Sequence, residues 1–241
     1  MLSKNEAKYI QSLSLKKHRD ATGLFLVEGI KGVDELLNSN FSVQKLFAIE
    51  GWQHLKQDKA PLVKVSADEL KKISGLQTPN QVLAIVAQKI PQKAGPEKGK
   101  LVIALDGIQD PGNMGTLIRI ADWFGIDTIL VGADSADFYN PKVIQSTMGS
   151  FIRVNICYGN LYEMLVDSPV PIYGALLKGS SIYQNPTVKE GVLLIGNESS
   201  GIHQSIQELI THPVHIPRIG GAESLNAAVA AGIILSHLVE K

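Results

Sequence analysis

The chain has 241 residues, of which 44% are hydrophobic and 19% are charged, as in an ordinary globular protein. No apolar run is long enough to span a membrane, and the single cysteine excludes an internal disulfide. The N-terminus lacks the apolar core of a signal peptide, so we expect a cytoplasmic protein. The formal net charge is zero, but residues 1–100 carry +6 and residues 101–241 carry −6, which fits either contact of the first part with a polyanion or ordinary variation between two surfaces.

Short apolar runs alternate with helix signals in the first part of the chain. Strands are predicted over residues 25–27, 45–49, 62–65 and 81–87, and a helix over residues 30–37. Ser66 and Glu69 have the spacing of a capping box, which predicts a helix that ends near Gly75. Together these elements favour a small α/β domain over residues 1–88.

Residues 89–100 are rich in Pro, Gly and Lys and lack any periodicity, which is typical of a linker. Beyond them, strands and helices alternate as far as a last helix over residues 225–238. Strands are predicted over residues 101–105, 128–131, 153–156, 171–176, 192–195 and 214–216. Because these runs are apolar without polar alternation, they predict a parallel sheet covered on both faces, with ligands at the carboxyl ends of its strands.

Three polar clusters follow predicted strands, over residues 109–125, 193–201 and 215–232. Gly196 and Gly201 have the spacing of a phosphate loop but lack its Lys and Ser/Thr. His212 and His215 have no neighbouring ligand set, so we expect no metal.

Four polar residues of these clusters also have a purely local interpretation. Asn113 and Ser224 each stand where a helix N-cap belongs. Arg119 could pair with Asp122 on the helix surface, and Glu198 could be a surface carboxylate at a helix start.

In order and spacing, the three clusters resemble the SpoU/TrmH branch of the SPOUT methyltransferases. The motifs are NMGTLIR at residues 113–119, IGNESSG at 195–201, and IP at 216–217 followed by SLNAAVA at 224–230. Residues 17–29 also resemble the N-terminal substrate-binding module of this family. The resemblance implies transfer of a methyl group from S-adenosylmethionine to a ribose 2′-hydroxyl of RNA.

The resemblance also implies a fold and an assembly. It implies an α/β chain with an N-terminal RNA substrate-binding domain over residues 1–88, similar to a ribosomal protein, a linker over residues 89–100, and a SPOUT methyltransferase domain over residues 101–241. In the last domain a parallel sheet would carry a deep trefoil knot over roughly residues 170–230, an exception to the rule that chains avoid knots. Family members are homodimers whose active sites can share residues across the interface.

By position, the resemblance assigns three sets of site residues. The catalytic set is Asn113, Arg119, Glu198, Ser224 and Asn226. The cofactor is expected to contact Ala175, Gly196, Ile216, Leu225 and Asn226, largely through backbone groups, and RNA to contact Lys16, Lys17, His18 and Arg19. The chain departs from the family at Asn197, where Ser or Ala is common.

The N-terminal module favours ribosomal RNA as the substrate, because family members that act on tRNA often carry helical extensions instead. Three alternatives stay open: a tRNA 2′-O-methyltransferase, a non-catalytic RNA-binding or ribosome assembly factor, and a small-molecule methyltransferase. The last would leave the basic N-terminal part unexplained.

Overall fold

The structure, a computed structural model, describes residues 2–78, 80–90, 94–184 and 186–239. The chain forms two compact units. The first comprises Met1–Ile90 with Asp137–Ile152, and the second comprises Pro91–Ala136 with Arg153–Lys241. In the described ranges, no helix has the length and apolar character needed to cross a membrane.

The first unit is built on a four-stranded mixed sheet in the order β1-β4-β2-β3. Its strands are β1 (Leu24–Glu28), β2 (Val43–Ala48), β3 (Leu62–Lys64) and β4 (Val82–Ala87). Its helices are α1 (Lys4–Ser12), α2 (Lys16–Thr22), α3 (Ile30–Leu37), α4 (Ala67–Ile73) and α6 (Pro141–Ser146). The four predicted strands and the helices α3 and α4 are confirmed within a few residues, whereas α1 and α2 were not predicted.

The segment Asp137–Ile152 packs in the first unit although it lies in the stretch expected to form the second domain. Phe151 contacts Phe25 and Phe41 edge-on, with ring centroids 6.2 and 5.6 Å apart. Gly149 has φ +98°, and a Cβ there would lie 2.9 Å from Glu35 Cγ. The segment is therefore an integral part of the core of the first unit.

The second unit is built on a six-stranded parallel sheet in the order β10-β8-β9-β5-β6-β7, which confirms the predicted parallel sheet. Its strands are β5 (Leu101–Asp106), β6 (Thr128–Gly132), β7 (Asn155–Gly159), β8 (Ile172–Ser181), β9 (Gly191–Gly196) and β10 (His212–His215). Its helices are α5 (Pro111–Trp123), α7 (Leu161–Leu165), α8 (Gln204–Gln207) and α9 (Ala227–Leu238). The strand predicted over residues 153–156 begins at Asn155, where pairing with Thr128 of β6 starts.

Two helix starts differ from the sequence prediction. The N-cap of α5 is Asp110, whose Oδ1 accepts from the backbone N–H of Asn113 at 2.8 Å, and Pro111 occupies the first turn, where a missing N–H costs nothing. The N-cap of α9 is Asn226, which accepts from the N–H groups of Ala228 and Val229, so Ser224 is not the cap. The side chain of Asn113 is consequently free for other contacts.

The sheet opens at the carboxyl ends of β8 and β9. Pairing of β8 with β9 ends at Gly174↔Leu194. Pairing of β8 with β10 jumps from Pro213↔Gly174 to Val214↔Ser180, so residues 175–179 bulge out of the ladder. Backbone groups of β8 are therefore released from the sheet at its carboxyl edge, while the knot expected over residues 170–230 stays a prediction.

Candidate active site

Three of the predicted catalytic residues meet at the carboxyl edge of the second unit's sheet. Asn113 lies in the first turn of α5, directly after β5, and Glu198 lies in the loop after β9. The Asn113 amide nitrogen donates to Glu198 Oε1, and the Asn226 amide nitrogen donates to Asn113 Oδ1 at 2.8 Å. A hydrogen-bonded network thus joins positions that lie in three separate motifs of the sequence.

The network uses only one oxygen of the Glu198 carboxylate. In the part of the chain that the structure describes, Glu198 Oε2 accepts no hydrogen bond, and the side chain is half-buried. A carboxylate oxygen accepts hydrogen bonds, so Oε2 can receive a hydroxyl or N–H of a ligand. Asn113 fixes the direction in which this oxygen points.

The loop that carries Glu198 is closed by its own backbone. The N–H of Asn197 donates to the Gly201 carbonyl at 3.0 Å, and the reverse bond measures 2.9 Å. A Cβ on Gly196 would lie 2.5 Å from the carbonyl carbon of Gly201, so the close approach requires glycine.

Asn197, the departure from the family pattern, ties this loop to the chain after β5. Its amide nitrogen donates to the Gly107 carbonyl at 2.7 Å, and its Oδ1 accepts from the N–H groups of Ser199 and Ser200 at 2.8 and 3.1 Å. Ser or Ala could not make all three contacts, because neither has an amide.

Arg119 lies apart from the network. It is exposed on α5, six residues beyond Asn113, which corresponds to about 9 Å along a helix axis. Asp122, its partner in the alternative local interpretation, binds Arg153 instead, with a 2.9 Å contact to Nη2. No hydrogen bond or ion pair joins the Arg119 guanidinium to any described residue, so it is available to an anion.

The positions assigned to the cofactor follow three neighbouring strands. Ala175 directly follows Gly174, the last residue of β8 that pairs with β9, and Ile216 directly follows β10. Gly196 ends β9, where it pairs with Asp106 of β5 on one side and with no residue of β8 on the other. Leu225 is 46% exposed and precedes Asn226, the cap of α9. These residues offer backbone groups that no strand pairs across the β8–β9 opening, which fits a ligand held by main-chain hydrogen bonds. Ser224 is exposed and makes no hydrogen bond among the described residues.

Sequence reasoning missed a polar pair beside this network, Asp106 and His203. The Asp106 side chain ends β5 and is buried. Its Oδ2 accepts from the His203 N–H at 2.7 Å, and its Oδ1 lies 2.8 Å from His203 Nδ1. The hydrogen bond to Asp106 and the negative charge of its carboxylate raise the pKa of His203 above its ordinary value of 6.5. The available signal was a charged residue, Asp106, directly after the apolar run LVIAL.

Asp134 joins this pair in a group of three potential metal ligands. The ligand atoms of Asp106, Asp134 and His203 lie within 4.8 Å of one another. Both oxygens of Asp106 already accept from His203, however, so the pair is satisfied by itself.

The predicted RNA-binding residues on α2 of the first unit divide into two kinds. Lys16, Lys17 and His18 are exposed, and Lys16 pairs with Asp20 at 2.8 Å. The prediction for Arg19 as an RNA contact is wrong, because its side chain is 1% exposed.

Internal partners occupy the Arg19 guanidinium. It donates to the carbonyls of Leu13 and Ser14 at 3.0 and 2.7 Å and pairs with Asp137 at 2.6 Å. Arg19 therefore holds the first unit together instead of facing RNA.

Comparison with known proteins places these motifs in one family. Residues 100–236, more than half of the chain, match the SpoU rRNA Methylase family. The chain belongs to this family. Residues 4–84 match the MRM3-like substrate binding domain. The resemblance drawn from the three SpoU motifs and from the N-terminal module is thereby confirmed.

Named relatives of this SpoU chain act on ribosomal RNA. The 23S rRNA (guanosine(2553)-2'-O)-methyltransferase RlmP of Bacillus subtilis is 32% identical over 235 residues, which cover 95% of this chain and 93% of that protein. The 23S rRNA (uridine(2479)-2'-O)-methyltransferase of Streptomyces viridochromogenes is 26% identical and covers 95% and 87%. The crystal structure of an AdoMet-bound rRNA methyltransferase from Sinorhizobium meliloti superposes with a TM-score of 0.89 at 29% identity and covers 99% and 96% of the two chains.

Proposed function

We propose that this SpoU-family chain transfers the methyl group of S-adenosylmethionine to a ribose 2′-hydroxyl of ribosomal RNA. The observation that carries the proposal is the Asn113–Glu198–Asn226 network at the carboxyl edge of the parallel sheet. The 23S rRNA activities in the names of the Bacillus and Streptomyces relatives support ribosomal RNA as the substrate.

The cofactor is proposed to lie at the β8–β9 opening. When bound, S-adenosylmethionine supplies an electrophilic methyl group on its sulfonium. Backbone groups of Ala175, Gly196, Ile216 and Leu225 would hold it, and the fit rests on the carboxyl ends of β8 and β9, which do not pair with each other beyond Gly174 and Leu194. Asn226 would hold Asn113 in place from the side of α9.

The polar side chains are proposed to align the ribose for in-line attack. Glu198 Oε2 would accept the hydrogen bond of a ribose hydroxyl, because Asn113 already occupies Oε1. Arg119 would hold the phosphate beside that hydroxyl bidentately, because its guanidinium is a permanent cation with a planar fork of donors. Exposed Ser224 would contact substrate or cofactor groups.

A homodimer completes the proposal. Trp123 on α5 is 83% exposed and Val229 on α9 is 51% exposed, and α5 packs against α9. A second copy would cover this apolar surface and bring its own Arg119 to the network, which would explain why Arg119 has no described partner within one chain.

The first unit is proposed to bind the phosphates of the RNA. Exposed lysines and a histidine on α1 and α2 supply the positive charge: Lys4, Lys8, Lys16, Lys17 and His18. The proposed boundaries remain an N-terminal domain over residues 1–88, a linker over 89–100, of which 91–93 lie outside the described residues, and a methyltransferase domain over 101–241. The rRNA substrate favours a cytoplasmic location.

The test is transfer of a radiolabelled methyl group. The protein would be incubated with labelled S-adenosylmethionine and total RNA from a strain that lacks it, and the labelled RNA would be sized and digested to nucleosides. We expect a 2′-O-methylnucleoside from large rRNA. Arg119→Ala should lower the rate by about 10²-fold or more, as loss of a preorganised charge contact does, whereas Thr116→Ala, an exposed change one turn earlier on α5, should keep it.

Two other outcomes would overturn parts of the proposal. Label in tRNA would keep the chemistry and change the substrate. Failure to bind S-adenosylmethionine in a calorimetric titration, together with retained rRNA binding, would make the chain a non-catalytic RNA-binding factor.

A further inference from the structure

Both ends of the loop that carries Glu198 are hydrogen-bonded to two consecutive residues, Asp106 at the end of β5 and Gly107 directly after it. At its start, Asn197 donates to the Gly107 carbonyl at 2.7 Å. At its end, His203 donates to Asp106. Gly107 has φ +70°, and a Cβ there would lie 3.2 Å from Asp134 Oδ2 and 3.6 Å from Asn197 Cβ. The segment after β5 and the loop after β9 are therefore packed closely at this point.

His203 contacts Asp106 with two groups at once. Its backbone N–H reaches Oδ2 at 2.7 Å and its ring Nδ1 lies 2.8 Å from Oδ1. An ionised carboxylate can only accept, so the Nδ1 atom must carry the proton in this contact. The Asp106 side chain is 3% exposed, and a buried carboxylate without partners is costly, so this pairing is strongly favoured.

We propose that His203 is a positioning residue that, through Asp106, holds the loop over residues 197–202 in the conformation that aims Glu198 at Asn113. The link to methyl transfer rests on the proposed function, whereas the link to loop order does not. Among the described residues, no hydrogen bond joins His203 to Asn113 or Glu198, so in this proposal it acts through the loop.

The test compares His203→Asn with His203→Ala in the full-length protein. The side-chain amide of Asn can place a donor near the position of Nδ1 but cannot become charged, whereas Ala removes the donor. Gln204→Ala is the matched control, since Gln204 is the next residue, is exposed, and makes no side-chain hydrogen bond among the described residues. Hydrogen exchange of the peptide covering residues 197–202 reports loop order without any need for activity.

We expect His203→Ala to lose protection in this peptide and to lower kcat by about 10- to 100-fold, since a misplacement of about 1 Å can cost about 10²-fold. The KM for RNA should change little. His203→Asn should restore most of the protection, because the amide supplies a donor to Asp106 again.

Equal protection in the wild type and in His203→Ala would overturn the proposal, whatever the activity. A loss of protection on adding a chelator would also overturn it, because a metal held by Asp106, Asp134 and His203 would then be the clamp. If the wild type transfers no methyl group but the exchange results hold, the positioning of the loop stands and the proposed function fails.

Discussion

Two nearby basic residues on α2 differ in their exposure to solvent. Lys17 is exposed, while Arg19 is buried against carbonyl groups and the Asp137 carboxylate. The sequence pattern treated them alike because the partner that buries Arg19 lies 118 positions away. Only the fold distinguishes a structural arginine from a surface lysine.

We expect Arg19→Ala to lower the free energy of unfolding of the first unit by about 3–5 kcal/mol, because it removes the donor shared by the Leu13 and Ser14 carbonyls and the Asp137 carboxylate. Lys17→Ala should change it by no more than about 0.5 kcal/mol. Urea unfolding followed by the fluorescence of buried Trp52, in a Trp123→Phe background, isolates this unit.

RNA binding by the same variants separates the two roles. Lys16→Ala with Lys17→Ala should weaken binding and reduce the slope of log K against log salt by about 0.7–0.9 for each phosphate that the double variant no longer neutralises. If Arg19→Ala instead leaves stability unchanged and flattens the salt dependence, its assignment as a structural residue fails.

At the scale of elements, the sequence predicted correctly a helix cap that depends only on neighbouring residues. The capping box of α4 is present as predicted: Ser66 Oγ accepts from the Glu69 N–H at 3.2 Å, and Glu69 Oε2 accepts from the Ser66 N–H at 2.9 Å. The sequence prediction assigned the wrong N-cap residues to α5 and α9, because more than one residue with capping chemistry precedes each helix. The side chain of Asn113 binds Glu198 instead of capping α5.

The capping box should make stability depend on pH in a defined direction. The backbone N–H groups of Ser66 and Leu2 lower the pKa of Glu69 below its ordinary value of 4.5. The contribution of the charged form is therefore complete above 4.5 and is lost as the pH falls towards the lower folded value.

Urea unfolding at neutral and at acidic pH would show this. The wild type should exceed Glu69→Gln in stability at pH about 7, and the gap should close in acid as the carboxylate is protonated. Asp68→Asn, in the same first turn, is the control and should show a smaller gap. A gap that is the same at both pH values would contradict the assignment.

At the scale of the whole molecule, the chain does not divide into consecutive blocks. The segment Asp137–Ile152 lies in the sequence between two stretches of the second unit, but it packs in the first unit. Exposed Trp123 and Val229, in turn, leave an apolar surface on the second unit that one chain does not cover.

We expect Trp123→Glu to convert a dimer to a monomer, because a charge at the centre of a desolvated interface is costly. Sedimentation velocity would measure the assembly and the methyl-transfer assay the consequence. Leu55→Glu is the matched control, because Leu55 is a fully exposed apolar residue in the first unit and should leave the assembly intact. A wild-type protein that sediments as a monomer would refute the proposed dimer.

The sequence by itself determined the α/β class, the parallel sheet, the family and the cluster of Asn113, Glu198 and Asn226. Apolar runs record burial along the chain, and the family motifs record chemistry at fixed spacings. Only the tertiary structure showed which residues bind partners that are distant in the sequence: Arg19 pairs with Asp137, and His203 donates to Asp106. It also showed that Arg119 is exposed and has no partner among the described residues. Periodicity carries no information about residues that meet only when the sheet has assembled, because their separation in the sequence follows no repeat.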